Sequence, residues 1–496
     1  MYTLSLTPMH QCPTLLAFKS CAHLYAMQAQ LIAILPRAGR LEHIAERAKE
    51  AMALVYGGCK VADVHGVLLV LSGGELAEGA CTLVSSQVEG TYLEKADACM
   101  LLDEYTSLEA GFTTSIRSLM REERGLLSLT IASRHYLAAA RDPAGATPMY
   151  YASTPLHLAV STSPLLLELC GFRSYVSIPA GCCLAGDRAG EVIAPLASLL
   201  WCRGEGSARE VLRKLRLQLS HVERAAVMFS GGLDSSVLAA AMRDSGCSIE
   251  LYTCAAKGSA DEQAALEAAE ALGLKLNLVE LSEQAVEDTL PVVLAHTCKP
   301  TLMDASIAVP LHLASREASS KGFKLSALGQ GADELFGGYA RFVWRLRESG
   351  PRGALDSIEA SILQLQRGFE RDHATVSAAG LELSTPYASQ MIAGEALSAP
   401  LAMRVSADGS RKLLLREVAR ALGLPESIAE RAKKAAQYGS MSEKLVRKAA
   451  EKRGYKGARE AAYYLRALSE EAKLKLVREL TSLSRFSTLS TSRVLS

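Results

Sequence analysis

The segment Ser230-Gly231-Gly232-Leu233-Asp234-Ser235-Ser236 has the composition of an anion cradle. Two consecutive glycines let a backbone turn sharply and approach a ligand with no Cβ in the way. Successive N–H groups in such a turn converge on phosphate oxygens. A helix that opens there adds its positive dipole end. Ser230, Ser235 and Ser236 offer hydroxyl protons, so Ser230, Gly231, Gly232, Ser235 and Ser236 read as a pyrophosphate-binding set. Asp234 would repel a polyphosphate unless it held a cation, and Mg2+ suits a carboxylate beside phosphates. The segment has no Gly-Lys-Ser/Thr, which excludes a Walker A loop. A second segment, Leu328-Gly329-Gln330-Gly331-Ala332-Asp333-Glu334-Leu335-Phe336-Gly337-Gly338-Tyr339, is again rich in glycine and supplies Asp333 as a second carboxylate for the metal.

Both segments need a strand behind them and a helix ahead. Ala225–Phe229 is an apolar strand and Ser235–Arg243 a helix. Ile249–Ala255, Leu276–Leu281 and Lys324–Leu328 follow as strands, separated by helices over Asp261–Leu272 and Ala305–Ser320. Such alternation implies crossover connections, hence an α/β fold with a doubly wound parallel sheet and helices on both faces. Ligands bind at the carboxyl ends of strands in such sheets, where both segments would lie. Residues 1–200 read differently. Short runs such as Val67–Leu71, Cys81–Val88, Leu126–Ala132 and Leu156–Ser163 are strands bounded by turn residues, with a helix over Arg40–Val55. Tyr136–Arg141, the turn Asp142-Pro143-Ala144-Gly145 and Pro148–Ala152 read as strand, turn, strand. Trp201–Ser207 reads as a linker, and the chain looks helical from Ser357 onward. Residues 441–496 carry 13 Lys and Arg against 6 Glu, and their last sixteen, rich in Ser and Thr, read as a frayed tail.

Length and composition set the outer limits. A chain of 496 residues is too long for one ordinary domain. With 49% hydrophobic and 22% charged residues it is not mainly disordered. A net charge of +1 argues against general coating of polyanions, and the basic helices after Lys444 read as solvated faces, so a nucleic-acid partner is not expected. The apolar runs Leu31–Leu35 and Gly66–Leu71 are far shorter than a membrane span. No signal peptide is legible, so the expected location is cytoplasmic. All 12 cysteines precede residue 299 and none forms a C-x-x-C, which points to reduced thiols rather than a zinc site.

The two glycine-rich segments together resemble the asparagine synthetase family, whose first loop is that of ATP pyrophosphatases. Gly380–Tyr387 is similar to that family's G-x-E-x-x-x-P-F segment, and Arg431–Ser440 to its late basic segment. The Gln437-Tyr438-Gly439-Ser440 ending resembles the divergent branch that includes asparagine synthetase domain-containing proteins. Ala140–Tyr151 and Phe172–Gly181 resemble parts of the family's glutaminase domain, an N-terminal-nucleophile sandwich. The resemblance implies three parts: a degenerate α+β glutaminase-like domain over 1–203, an ATP pyrophosphatase domain over 204–445, and a basic helical extension over 446–496.

It also implies roles. Asp234 and Asp333 would hold Mg2+. Phe229, Cys254, Leu328 and Gly329 match positions whose backbones contact adenosine. Lys433 matches a lysine near the α-phosphate, with Lys434 the alternative one position on. Glu382 would orient the acceptor site or a lysine. Gln330 and Gly331 would face the substrate, as would Asp304 and Ser306, for which an N-cap of the helix near Ala305 is the competing reading. Two departures matter. The family's glutaminase uses a cysteine at position 2, where this chain has Tyr2, a group of pKa about 10 that cannot replace a thiol. Gln330 stands where ordinary asparagine synthetases have a glutamate base. The expectation is therefore an AMP-forming ligase using ATP, Mg2+, a carboxylate such as aspartate, and ammonia, free or from a separate partner. A homodimer is left open. A β-lactam-synthetase-like cyclase and an inactive scaffold are the alternatives.

Overall fold

A computed structural model of the protein describes residues 30–37, 41–57, 59–64, 67–72, 76–77, 82–88, 127–132, 136–195, 204–431 and 440–491. The first twelve strands form two antiparallel sheets. They are β1 (Gln30–Pro36), β2 (Lys60–Val64), β3 (Val67–Ser72), β4 (Leu76–Ala77), β5 (Thr82–Val88), β6 (Leu127–Ala132), β7 (Tyr136–Ala140), β8 (Tyr150–Ser153), β9 (His157–Ser161), β10 (Val176–Ser177), β11 (Cys182–Asp187) and β12 (Glu191–Pro195). One sheet has the order β10-β8-β9-β1-β3-β2 and the other β12-β11-β7-β6-β5-β4. The alternation of β1 explains their packing. Leu31, Ala33 and Leu35 meet Leu137, Ala139 and Leu184 of the second sheet. Ile32 and Ile34 face outward onto Ala48 and Met52 of the Glu42–Tyr56 helix.

The strand–turn–strand expected at Tyr136–Ala152 is present, but its strands do not pair with each other. β7 lies in one sheet and β8 in the other, so the turn carries the chain across the sandwich. The buried Asp142 carboxylate fixes that crossing by accepting from the Ala146 and Thr147 amides at 3.0 and 3.1 Å. The glycines of the expected linker are docked instead. The Gly206 and Gly204 amides donate to Glu395 Oε2 and Ser398 Oγ of the Gln390–Ser398 helix at 2.8 and 2.9 Å.

The remaining strands are β13 (Arg224–Met228), β14 (Ser248–Ala255), β15 (Leu276–Glu280), β16 (Leu325–Ala327) and β17 (Glu382–Ser384). They form one parallel sheet in the order β15-β14-β13-β16-β17, so the fold is α/β with a doubly wound sheet. β13 is apolar on both faces, as a central strand must be. Ala225 and Val227 pack with the helices Ala208–Leu219, Leu233–Asp244 and Leu413–Ala421. Ala226 and Met228 pack with Glu283–Thr297 and Leu302–Ser320. β17 and the Glu283–Thr297 helix are elements that the sequence reading did not separate.

The C-terminal helix Ala458–Thr491 joins the two halves. Its Leu465 lies in the core beneath the parallel sheet, and its Leu480 lies in the core beneath β1. It runs well into the stretch expected to fray. Thr481 and Ser482 return their hydroxyls to their own helix, at the Val477 and Glu479 carbonyls, which suits a Ser-rich helix end. On the face read as solvated, Lys448 and Lys452 are about half exposed and also meet Glu283, while Lys473 is largely covered and meets Glu168.

Candidate active site at the switch point of the parallel sheet

β13 is the first strand of its sheet, with β14 on one side and β16 on the other. The order reverses between β13 and β16, and that is where an open α/β sheet leaves a crevice at its carboxyl edge. The 230–236 loop leaves β13 there and the 328–339 segment leaves β16 beside it. A cavity of about 390 Å³ opens at this edge, lined among others by Ser230, Gly232, Asp234, Lys412, Arg416 and Arg431.

The loop is held by its own side chains. Ser235 Oγ accepts from the Ser230 amide and lies 3.3 Å from Ser230 Oγ, and it donates to the Gly232 carbonyl at 3.3 Å. Gly231 has φ +67°, and a Cβ there would run into the Ala264 carbonyl, so only glycine fits. Gly232 caps the Leu233–Asp244 helix, which aims its N-terminus into the cavity. Ser236 does not join this set: it is fully buried, its hydroxyl has no hydrogen-bond partner, and it does not line the cavity. Phe229 is fixed at the strand end, its amide donating to the Tyr252 carbonyl at 2.8 Å and its carbonyl accepting from the Thr253 hydroxyl at 2.5 Å. Cys254 ends up buried on β14, and burial pushes its thiol up to about 12. The Leu328 amide donates to the Ser384 carbonyl, and Gly329 lies against Asp234.

The centre of the site is an ion cluster with a member absent from the sequence reading. Lys412 Nζ lies 2.6 and 2.7 Å from the two Asp234 carboxylate oxygens and 2.7 Å from Asp333 Oδ1. The lysine side chain is 6% exposed and the two aspartates 15% and 11%. Two features aim it inward. Lys412 has φ +57°, a left-handed conformation rare outside glycine, with its amide donating to the Arg404 carbonyl at 2.7 Å. Gly338 leaves it room, since a Cβ there would meet both Asp333 Oδ1 and Lys412 Cε. Below the cluster, the buried Tyr387 hydroxyl donates to the Asp234 carbonyl at 2.9 Å. Burial, with the Asp234 charge, keeps that phenol protonated by raising its pKa well above 10.

Three arginines complete the wall. Arg411 donates to the Gly338 carbonyl at 2.7 Å and Arg416 to the Arg411 carbonyl at 2.7 Å. Arg431 donates to the Gly231 and Ala264 carbonyls at 3.1 and 2.8 Å and pairs with Glu267. Arg431 opens the expected basic segment, but Lys433 and Lys434 lie outside the described residues.

Other expected residues fall elsewhere. Glu382 begins β17 opposite Leu325, while the site forms beyond Ser384 at the other end of that strand, so the register does not bring Glu382 to the carboxyl edge. The N-cap of the Leu302–Ser320 helix is Thr301, which accepts from the Asp304 amide and donates to its carboxylate, so neither Asp304 nor Ser306 is the cap. Asp304 instead faces Arg371 at 3.6 Å. Ser306 is fully buried and donates to its own helix at Leu302. Gln330 turns toward Gly368 of the Leu365–Ser377 helix.

Among the described residues no group of three or more His, Cys, Asp or Glu side chains gathers for a metal. Asp234 and Asp333 still fit Mg2+. Their oxygens converge on one point, and a pair of carboxylates leaves the ion's remaining positions to phosphates and water. No described helix is long and apolar enough to cross a membrane.

The sequence model of the Asparagine synthase family matches residues 208–373 and 363–487, more than half of the chain. A putative glutamine-hydrolyzing asparagine synthetase 1 of Methanocaldococcus jannaschii is 32% identical over 277 residues, 49% of this chain and 50% of that one. The nodule glutamine-hydrolyzing asparagine synthetase of Pisum sativum is 33% identical over 126 residues, 23% of this chain and 22% of its own. The chain thus spans about half, or less, of these relatives. Among solved structures it is similar to an NMN synthetase from Francisella tularensis (TM-score 0.28, 15% identity, 54% of this chain and 94% of that one), a likeness too low to carry an argument. The family match runs from the first helix before β13 to the C-terminal helix, and it contains both loops and Lys412. The chain belongs to the asparagine synthase family.

Proposed function

We propose that the protein is an ATP-dependent, AMP-forming amide ligase that transfers ammonia to aspartate or a related carboxylate. The observation that carries this reading is the Asp234–Lys412–Asp333 cluster beside a glycine-rich loop at the switch point. A carboxylate is a poor acyl donor because oxide is a poor leaving group. In the proposed reaction a substrate carboxylate oxygen attacks the α-phosphorus, the bond to pyrophosphate breaks, and an acyl-adenylate forms. Ammonia then adds to the acyl carbon, loses a proton, and AMP leaves. The first step builds charge on phosphate oxygens, so positioned cations and N–H donors lower its barrier most. Ser230, the Gly231–Gly232 amides and Ser235 would hold the pyrophosphate, with Arg411, Arg416 and Arg431 around it. Lys412 can leave the two carboxylates for a phosphate oxygen. Phe229, Cys254, Leu328 and Gly329 would flank the adenosine. Mg2+, held by Asp234 and Asp333, would neutralise charge on the phosphate oxygens. Lys433 or Lys434 would reach the α-phosphate.

Ammonia is proposed as the nitrogen source, with residues 1–203 as a degenerate glutaminase-like domain, 204–445 as the synthetase and 446–496 as its extension. Four of the described cysteines are poorly suited to stand in for the cysteine missing at position 2. Burial pushes Cys170, Cys247, Cys254 and Cys298 up to about 12, which keeps them thiols and poor nucleophiles. The test is pyrophosphate and AMP release from Mg-ATP and ammonium over a panel of carboxylates that includes aspartate. Release with one carboxylate, lost in Asp234→Asn, is the expected result. An Asp234→Asn protein as active as the parent would overturn the reading, and efficient use of glutamine would overturn the nitrogen source.

A further inference from the structure

The turn that crosses between the antiparallel sheets grips the Leu365–Ser377 helix of the other half. Arg141 is fully buried. On its own side its guanidinium donates to the Ser177 hydroxyl and to the Ile178 and Gly145 carbonyls, at 2.8, 2.9 and 2.7 Å. Across the junction it meets Glu370 Oε1 at 2.9 Å. The other Glu370 oxygen pairs with Lys299 at 2.8 Å, and Lys299 also donates to the Arg367 carbonyl at 2.9 Å. Gln366 Oε1 accepts from the Ala180 amide at 2.8 Å. Ala144 and Ala146 of the turn pack against Leu365 and Phe369.

The same helix touches the candidate active site. Phe369 Cζ and Leu365 Cδ2 stand 3.4 and 4.0 Å from where a Cβ on Gly331 would be. A Cβ on Gly368 would lie 2.9 Å from Gln330 Nε2. Gly331 in turn caps the short Ala332–Leu335 helix that carries Asp333. The Leu335, Phe336 and Gly338 amides donate within this segment, to the Gly331, Ala332 and Asp333 carbonyls. An unbroken series of contacts therefore runs from Arg141 through the helix to Asp333 and Lys412.

We propose that Arg141 and Glu370 are positioning residues: through this helix, the antiparallel sheets hold Gln330–Gly331 and set Asp333 against Lys412 and Asp234. Adhesion alone would not require the pair. Apolar residues of similar volume hold two surfaces together at least as well as a buried ion pair, whose desolvation is costly. A guanidinium with four fixed acceptors instead defines one orientation. What the site catalyses rests on the function proposed above, while the geometry of the segment does not.

The experiment uses the full chain with Arg141→Met and Arg141→Lys, each checked by thermal melting. Amide hydrogen exchange is followed at residues 331–338, with the Leu233–Asp244 helix as internal control. Pyrophosphate release is measured in parallel. Arg141→Met should speed exchange at 331–338 by about tenfold and leave the control helix alone. It should lower kcat by about 10–100-fold with the KM for ATP within about twofold, since a misplaced centre loses rate more than affinity. Arg141→Lys, which keeps the charge, should recover part of both. If exchange rises only at 141–147 and kcat stays at the parental value, Arg141 is a docking contact and the proposal fails. If Arg141→Met does not fold, Glu370→Gln is read by the same two measurements with the same criteria. Where the parent releases no pyrophosphate with any carboxylate, the proposed function fails, and exchange alone decides the positioning role.

Discussion

Lys412→Met removes the ammonium and keeps an unbranched side chain that reaches as far as Cε. Methionine at φ +57° meets the same backbone cost as lysine, so the substitution isolates the ammonium. In the parent, Asp234 Oδ1 and Asp333 Oδ1 lie 2.6 and 2.7 Å from one nitrogen, and so no more than about 5.3 Å from each other. Two unit charges at that separation repel by about 3 kcal/mol at an effective dielectric of about 20. Breaking a buried pair by removing one partner typically costs about 3–5 kcal/mol, which agrees. The variant should melt about 6–12 °C lower in metal-free buffer, at about 2–4 °C per kcal/mol for a unit of this size. Mg2+ should change the comparison. In the parent the metal must displace Lys412 from the carboxylates, while in the variant it meets them without a competitor. Mg2+ without nucleotide should therefore raise the melting temperature of Lys412→Met more than that of the parent. Differential scanning fluorimetry with and without Mg2+ measures both effects. A variant that melts within about 2 °C of the parent without metal would refute the charge argument. Equal stabilisation of both proteins by Mg2+ would refute the competition.

Three further outcomes follow from individual contacts. Gly231→Ala forces a Cβ toward the Ala264 carbonyl in left-handed backbone, which costs about 1–2 kcal/mol before the clash is counted, so ATP affinity by calorimetry should fall at least about tenfold. Tyr387→Phe leaves the Asp234 carbonyl without its phenol donor, and stability should drop by about 1–2 kcal/mol in urea titration; no change would mean that the bond contributes nothing. The third concerns acid. Burial raises the Glu370 pKa, but Arg141 and Lys299 outweigh it and hold the carboxyl at about 2. A depressed carboxylate stabilises the fold above its unfolded pKa near 4.5, and loses about 3 kcal/mol as pH falls from there toward 2. His312 acts higher up: burial lowers it to about 4, so the fold loses about 3 kcal/mol as the unfolded chain takes up a proton between pH 6.5 and 4. Glu370→Gln should flatten the lower part of the acid limb and His312→Asn the upper part, both read by urea unfolding at stepped pH.

Where a local pattern decides an element, the sequence was enough. The β13 strand, its glycine loop and the helix after it follow from an apolar run, two glycines and a return to helical spacing, and the helix expected over Asp261–Leu272 ends at Leu272 with Gly273 as its cap, φ +63°. Where tertiary pairing decides, it was not. β17 has three residues, and what makes Glu382–Ser384 a strand is its place beside β16. The Asp142–Gly145 turn is the one that its residues predict, yet the two strands it joins belong to different sheets, a fact set by their partners. Gly204 and Gly206 looked like a linker because glycine permits freedom, whereas they are fixed by Glu395 and Ser398, some 190 residues away.

The site divides along the same line, and Lys412 shows why. In sequence it sits in Asp408-Gly409-Ser410-Arg411-Lys412, polar residues with no chemical signature in a stretch read only as helical. Its burial depends on three things no local pattern encodes: a left-handed residue that is not glycine, a glycine at 338 that leaves space, and two aspartates that arrive from different strands. Asp234 and Asp333 could be singled out because both stand in glycine-rich segments that follow strands. The cation that holds them together was legible only from them. Two carboxylates placed so close repel each other, and a positive charge between them removes that repulsion. Under the proposed reaction, a side chain that supplies it must also release them to Mg2+ and the phosphates. A long flexible ammonium does both, and a second arginine fork, bound by several fixed acceptors as Arg431 is, would not let go so readily.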